Sequence, residues 1–350
     1  MNELLIDRHR IAPAGRTLVI AEIGVNHDGS AQRALELVRR AHEAGADAVK
    51  LQIFHATQLL HGSARFADYQ QSRTDAADPV EMLLQYELCL EDVATIVASI
   101  RALGMIPLAT PFSPDDVPVI DQLDLPAVKI ASPDIVNLAL LRRAARTRRP
   151  MLLSTGASTI AEIAQAVQWM SEWQTPIALL HCISSYPVPD VDAQLSWIGE
   201  LSARFALPVG YSDHSTDLDA GAFAVMAGAC IVEKHLTYDR NATGPDHSAS
   251  ADPQQFARYV ASIRRAERLR GSGSRHVLAC EQDVRTVSRQ SLVLRRAIEA
   301  GQAITLDDLT VQRPGTGIPA AQEARVIGRS ARSALPAGTM LDWSMLADAA

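Results

Sequence analysis

The sequence predicts an α/β chain in which a closed (β/α)8 barrel of parallel strands is followed by a small β-rich domain. Three observations predict it. Short aliphatic or β-branched runs alternate with amphipathic helical patterns along most of the 350 residues, which means parallel pairing with both faces covered. The runs start apolar and turn polar at their C-terminal ends, as in PVGYSDHS and CIVEKHLT, so the chemistry gathers at one rim. The turn after the first run reads EIGVNHDGS, without the G-x-G-x-x-G spacing of an open dinucleotide-binding sheet.

The candidate strands, in order, are 18–24 (LVIAEIG), 48–54 (AVKLQIF), 106–112 (IPLATPF), 127–132 (AVKIAS), 150–156 (PMLLSTG), 176–183 (PIALLHCI), 207–213 (LPVGYSD) and 230–236 (CIVEKHL). The clearest helix between them is SAQRALELVRRAHEAG, with Ser30 as its N-cap, apolar residues at 34, 35, 37, 38 and 41, and Gly45 as its stop. STIAEIAQAVQWMSEW repeats the pattern, capped by Ser158 or Thr159 with Glu162 close behind. The stretch 56–90, with Ala67-Asp68-Tyr69-Gln70-Gln71 and a break at Asp78-Pro79, is long for a strand-to-helix connection and is expected to cover substrate. After Arg270 the texture becomes polar and glycine-containing, which reads as a linker over 273–288. The segment that follows echoes itself: RRAIEAGQAITLDDL and RSALPAGTMLDWSML each read as strand, glycine turn, apolar pair and acidic helix start.

Several function classes drop out. A net charge of −7 argues against a nucleic-acid partner. The cluster Arg142, Arg143, Arg146, Arg148 and Arg149 reads as a solvated helix end. No apolar run approaches the roughly 20 residues of a membrane span, and MNELLIDRHRIAPAG lacks the apolar centre of a signal peptide. The four cysteines form no C-x-x-C pair, so no disulfide framework is expected and the cytoplasm is the expected compartment.

Strand alternation sorts the rim residues by face. Glu22 shares a face with Ile20, Lys50 with Gln52, His214 with Ser212, and His235 with Glu233, while Lys129, Thr110 and Ser154 sit near the ends of their own strands. Two lysines with hydroxyls at one mouth make a site for a phosphate or carboxylate. Two neutral imidazoles on adjacent strands make a metal site, with carboxylates or water completing the shell. The plainer alternatives are hydrogen-bonded core histidines, and lysines held in structural ion pairs with Glu22 or Glu233.

IAEIGVNHDGS, VKLQIF, TPFS, KIAS, LSTGAS, LLHCISSYP, GYSDHS and GPDHSAS stand in this order. The series resembles the sialic acid synthase family, and the C-terminal segment with VQRPGTGI resembles the antifreeze-like (SAF) domain that completes those enzymes. The likeness runs from about residue 17 to 346. It implies a TIM-type synthase barrel over 1–272 and a SAF domain over 289–350. It also implies a divalent ion (Mn2+, Mg2+ or Co2+) and a homodimer in which each tail covers the partner's barrel. The implied reaction joins phosphoenolpyruvate to an N-acylated amino sugar, N-acetylmannosamine first, to give N-acetylneuraminate. Acceptors for legionaminic, pseudaminic or another nonulosonic acid are the alternatives.

Carried over by motif, His214 and His235 become metal ligands. Lys50, Thr110, Lys129, Ser132, Ser154, Ser184 and Ser212 become binders of phosphoenolpyruvate, with Lys50 and Lys129 counted as catalytic. Glu22, Gln52, Asp134, Tyr186 and Asp246 would face the sugar or the reacting carbons, Glu22 and Asp134 as catalytic carboxylates. Arg313 would reach the acyl group from the other subunit. Pro133-Asp134 departs from the Gly-Glu often found there, and Ser184 stands where some members carry Asn. Outside this resemblance, a Schiff-base lyase acting through Lys129 or Lys50 and a carbohydrate- or ice-binding protein built on the tail are the rival readings.

Overall fold

The computed structural model describes residues 3–67, 73–74, 76–271 and 273–347. It divides into two compact units, Met1–Gly273 and Ser274–Ala350.

The first unit opens with an antiparallel hairpin, β1 (Leu4–Ile6) and β2 (His9–Ile11). Eight parallel strands follow: β3 (Leu18–Glu22), β4 (Ala48–Ile53), β5 (Ile106–Pro111), β6 (Val128–Ile130), β7 (Met151–Ser154), β8 (Ile177–Cys182), β9 (Val209–Asp213) and β10 (Ile231–His235). They close into a barrel in chain order, with β10 pairing back onto β3. All eight expected strands are present, each shorter at its ends than its apolar run.

Alternation divides every strand between two environments. Outward residues such as Val19, Val49, Leu51 and Leu153 pack against the surrounding helices in the main core. Inward residues are apolar low in the barrel (Leu18, Ile20, Leu108, Leu152, Leu180, Ile231) and polar two positions later (Glu22, Thr110, Ser154, Glu233). Leu4, Ile6 and Ile11 of the hairpin join the low apolar set, so the hairpin closes the barrel floor. Room inside is scarce. A Cβ on Gly210 of β9 would lie 2.7 Å from both Cβ and the carbonyl oxygen of Ile231 on β10, so only glycine fits there.

The helices take the starts that their sequences dictate. Ala31–Glu43 is capped by Ser30, buries Ala34, Leu37, Val38 and Ala41, and gives way to Gly45 at φ +86°. Ile160–Glu172 begins in a reciprocal box between Thr159 and Glu162, which selects Thr159 over Ser158 as its cap. In the 56–90 stretch, Asp78-Pro79 is not a break. Asp78 caps the helix Pro79–Leu84, with Pro79 in its first turn. With the short helix Ala56–Leu59 it contributes Leu59, Met82 and Leu83 to an apolar cluster with Val25, Phe54 and Phe112. Asp68, Tyr69, Gln70 and Gln71 of the expected covering loop lie outside the described residues. The arginine cluster ends the helix Leu138–Ala145, and Arg149 turns back to Asp121, Asp124 and the Leu125 carbonyl. No helix among the described residues is long and apolar enough to cross a membrane.

The second unit pairs β11 (Ser291–Leu294) with β12 (Leu309–Gln312) around its own core of Leu292, Ile298, Ile304, Leu335 and Leu341. The internal echo is real in three dimensions. Gly301 and Gly338 turn at φ +79° and +83°, and each precedes a single 3-10 turn, one bonded by Asp308 and the other by Asp342. The segment expected as a linker differs from expectation. It carries a 3-10 turn (Ala279–Glu281) and the helix Gln282–Ser288, whose Thr286 carbonyl accepts from Gly315 N at 2.8 Å. Its helical residues outweigh the two glycines that suggested a flexible chain.

Candidate active site at the barrel mouth

The register of the closed sheet sets polar ends side by side: Glu22 beside Lys50 and His235, Gln52 beside Thr110, and Ser212 beside Glu233. They open into a cavity of about 470 Å³. Lys50, Gln52, Thr110, Lys129, Ser132 and Ser154 line one part of it, and Ser184, Tyr186, Ser212, His214, His235 and Asp246 another. Twelve of the fifteen residues expected from sequence therefore meet in one place.

The centre is a buried group of four charges. Lys50 Nζ lies 2.5 Å from Glu22 Oε2, 3.2 Å from Glu233 Oε1 and 3.2 Å from Thr110 Oγ1. Lys129 Nζ donates to Ser154 Oγ at 2.7 Å and stands 3.7 Å from the same Glu233 oxygen, which also accepts from Ser212 Oγ at 3.3 Å. Gln52 Nε2 donates to Glu22 Oε1 at 3.4 Å. Burial opposes the charge on Lys50, but Glu22 and Glu233 outweigh it and its pKa is raised. Glu233 is likewise opposed by burial, yet Lys129 and Lys50 hold it down to about 2. Glu22 goes the other way: its complete burial raises its pKa despite Lys50. Burial also lowers the pKa of Lys129, with Glu233 offsetting part of the effect. One ammonium serves two carboxylates, so Glu233 keeps its charge while Glu22 and Lys129 are pushed toward neutrality.

Beside this group Gly156 lets three polar side chains crowd together. A Cβ there would meet Ser184 Oγ, Ser132 Oγ at 2.8 Å and Cys182 Sγ at 3.0 Å, and Gly156 N donates to Ser132 Oγ at 3.0 Å. Across the cavity the rings of His214 and His235 stand 5.5 Å apart, and Tyr186 stacks on His214 at 4.1 Å. His214 Nδ1 is engaged with the Ile183 carbonyl at 2.9 Å, which leaves its Nε2 for a ligand. His235 Nδ1 is buried without a hydrogen bond, 3.5 Å from Asp246 Oδ2. Burial, then His214 and Lys50, keep His235 far below its ordinary pKa, so it is neutral as a metal ligand must be. Two neutral or neutralisable imidazoles with one orphaned nitrogen fit a divalent first-row ion. No group of three His, Cys, Asp or Glu residues is assembled for a metal among the described residues, so an ion held by the two imidazoles would need water or substrate oxygens to complete its shell.

Three expected residues stand elsewhere. Glu22 is fully buried against Lys50 and Gln52 rather than facing the cavity. Asp134 lies in the 3-10 turn Ser132–Val136, where its carboxylate accepts from Asn137 Nδ2 at 3.1 Å and does not line the cavity. Arg313 is exposed on the second unit, directly after β12. Two titratable cavity residues were missing from the expected site. Glu233 shares its face with His235, a signal present in the sequence. Cys182, whose Sγ is 3.7 Å from His214 Nδ1, ends β8 on its inward face. The apolar wall of Leu59, Leu60, Met82 and Leu83 belongs to the 56–90 stretch expected to cover substrate, although none of the four was singled out from sequence.

Residues 37–275 match the model of the NeuB family, and residues 289–347 match the SAF domain. The chain is 37% identical to N,N'-diacetyllegionaminic acid synthase of Legionella pneumophila subsp. pneumophila, covering 95% of this chain and 96% of that protein. It is 32% identical to N-acetylneuraminate-9-phosphate synthase of Mus musculus, covering 84% and 82% of the two chains. The crystal structure of N-acetylneuraminic acid synthetase from Leptospira borgpetersenii serovar Hardjo-bovis superimposes with a TM-score of 0.73 at 31% identity, covering 81% of this chain and 95% of that one.

Proposed function

We propose that this chain, which belongs to the NeuB family and carries a SAF domain, condenses phosphoenolpyruvate with an N-acylated amino sugar and water. The products are phosphate and a nonulosonic acid. The observation that carries this reading is the meeting of Lys50, Lys129 and five Ser and Thr hydroxyls with two facing imidazoles in one cavity. The first set suits a phosphorylated carboxylate, and the second suits a metal beside a carbonyl.

In this reading C3 of phosphoenolpyruvate bonds to the aldehyde carbon of the open-chain sugar, whose oxygen takes up a proton. C2 becomes cationic, water adds to it and gives up a proton, and phosphate leaves by C2–O cleavage as the ketone forms. Lys129, Lys50 and the hydroxyls of Thr110, Ser132, Ser154, Ser184 and Ser212 hold the donor's phosphate and carboxylate. An incoming anion would add to Glu233 a second counter-charge for Lys129 and so offset the lowering of its pKa by burial. Glu22, buried behind Lys50 and Gln52 with its pKa raised, manages the charge at C2 through those two side chains rather than by direct contact. Gln52, Tyr186 and Asp246 face the sugar. Asp134, tied to Asn137, supports the turn that carries Ser132. His214 and His235 would hold a divalent ion, Mn2+, Mg2+ or Co2+, which supplies Lewis-acid polarisation of the aldehyde oxygen.

N-acetylmannosamine is the first acceptor to test. A second acceptor is favoured by a specific observation: the relative at 37% identity is named for a product with two acetyl groups, and the wall of Leu59, Leu60, Met82 and Leu83 offers methyl groups an apolar face. The test is phosphate release from phosphoenolpyruvate across a panel of mono- and bis-N-acylated hexoses, with borohydride trapping in parallel. Acceptor-dependent release without a trapped adduct is expected. A borohydride-stable pyruvate adduct on Lys129 or Lys50 would instead establish a Schiff-base lyase.

We assign Arg313 to the acceptor's acyl group in a swapped dimer. One guanidinium hydrogen bond is worth roughly 1.5–3 kcal/mol, so Arg313→Ala should raise the acceptor KM by about tenfold or more while the donor KM stays put. Mixing Arg313→Ala with inactive His235→Ala under subunit exchange, assayed at acceptor concentrations too low for Arg313→Ala to turn over well, should return part of the activity, because one of the two sites then has both native residues. Heterodimers without recovery would assign the tail to its own barrel.

A further inference from the structure

The loop that carries Asp246, residues 236–252, is tied to the loop after β3 by two sets of bonds. Asn26 Nδ2 donates to the Leu236 carbonyl at 3.0 Å and to Ser250 Oγ at 2.8 Å, and Ser250 Oγ donates in turn to the Asp246 carbonyl at 2.7 Å. Asp28 holds three partners: the ring of His247 at 2.9 Å from Nε2, the Tyr238 hydroxyl at 2.8 Å, and the Arg33 guanidinium. His247 is 1% exposed, and its Nδ1 lies 2.6 Å from Thr237 Oγ1, so both ring nitrogens are engaged. Arg33 also stacks over the Tyr238 ring at 4.6 Å. Asp28 sits at φ +48°, a left-handed conformation that favours Gly or Asn when the turn alone decides. What Asp adds is a carboxylate with three simultaneous partners.

Neither Asp28 nor His247 lines the cavity, whereas Asp246, the neighbour of His247, does. We infer that Asp28 and His247 are positioning residues for the acceptor side. Through the Asp28–His247 bond the two loops hold Asp246 beside His235, so that its carboxylate is presented before the sugar arrives. The inference rests on the reading of Asp246 as an acceptor-facing group. Without the latch the loop keeps the Asn26 bonds and its internal bonds from Ser250 to Asp246 and from Thr237 to His247, but His247 loses its tie to the neighbouring loop.

The test is steady-state phosphate release with donor and acceptor varied separately, for wild type, Asp28→Ala, Tyr238→Phe and Asp28→Asn, with melting temperatures alongside. Asp28→Ala should raise the acceptor KM by about tenfold and leave the donor KM within about twofold, the signature of a misplaced sugar contact. Tyr238→Phe deletes one hydroxyl from a side chain that is 38% exposed, and should move the acceptor KM in the same direction by less. Asp28→Asn tolerates the same φ and keeps an acceptor oxygen for His247, so it should recover most of the loss. If Asp28→Ala does not fold, Tyr238→Phe decides. An unchanged acceptor KM in the folded variants overturns the inference, as does a matched rise in both KM values with a lower melting temperature. Wild type that turns over no acceptor overturns the proposed function and this inference together. Turnover by wild type with unaltered variants overturns the inference alone.

Discussion

Lys129→Ala should lower kcat/KM for phosphoenolpyruvate by two to four decades. Two charge-assisted bonds to a multiply charged donor contribute roughly 3–6 kcal/mol, and each decade of rate corresponds to about 1.4 kcal/mol. Lys50→Ala should fall as far for a further reason. It leaves Glu22 and Glu233 buried without their shared ammonium, so one of them must take up a proton before the donor can bind. Removing one partner of a buried pair also destabilises a fold by roughly 3–5 kcal/mol, so Lys50→Ala should melt earlier than Lys129→Ala, whose contact with Glu233 is longer at 3.7 Å. Circular dichroism would establish that both variants remain folded, and initial rates at varied phosphoenolpyruvate would measure the loss. Near-normal kcat and KM in either variant would make that lysine structural and move the donor site elsewhere.

Chelation should abolish turnover, and a divalent ion should restore it in wild type but in neither His214→Ala nor His235→Ala. The size of the loss follows from the arrangement. A divalent ion would bring two positive charges to an aldehyde oxygen, where the neighbouring Tyr186 and Asp246 bring none. Polarising that oxygen is worth several kcal/mol of barrier, so residual activity should be on the order of a thousandth or less. Titration of metal into stripped protein, followed by calorimetry, gives a readout independent of turnover: binding in wild type and its loss in both variants. Full activity after complete stripping would remove the metal from the mechanism.

The barrel was legible because a parallel strand covered on both faces must be apolar along its length, and eight such runs with helical spacers leave few other closures. Strand ends were less legible. The polar residues at the mouth continue the extended backbone after the ladder bonds have stopped, so LVIAEIG was read two residues past Glu22. The hairpin at the floor gave almost no signal, since each strand has three residues and Leu5 between the two inward positions of β1 is 62% exposed. Side-chain faces read well on strands and badly off them. Lys50 and Gln52 were paired by alternation, and Thr110 and Ser154 were placed by their positions near strand ends, whereas Asp134 sits in a 3-10 turn where a two-residue period does not apply. Glu233 was visible as a neighbour in the pattern but not as the hub of the site. Its importance depends on two lysines from β4 and β6, which only closure of the sheet brings to it.

The plug under the barrel imposes an order on the folding of the chain. Leu4, Ile6 and Ile11 precede in the chain the surface that receives them, which is built from residues as distant as Ile231. That surface does not exist until the last barrel strand has been synthesised and paired. The hairpin is therefore made well before it can be packed, and through more than two hundred residues of elongation, from Ile11 to Ile231, its apolar side chains wait for native partners. The charged residues beside them, Glu3, Asp7, Arg8 and Arg10, keep that waiting segment in water until the ring above it closes.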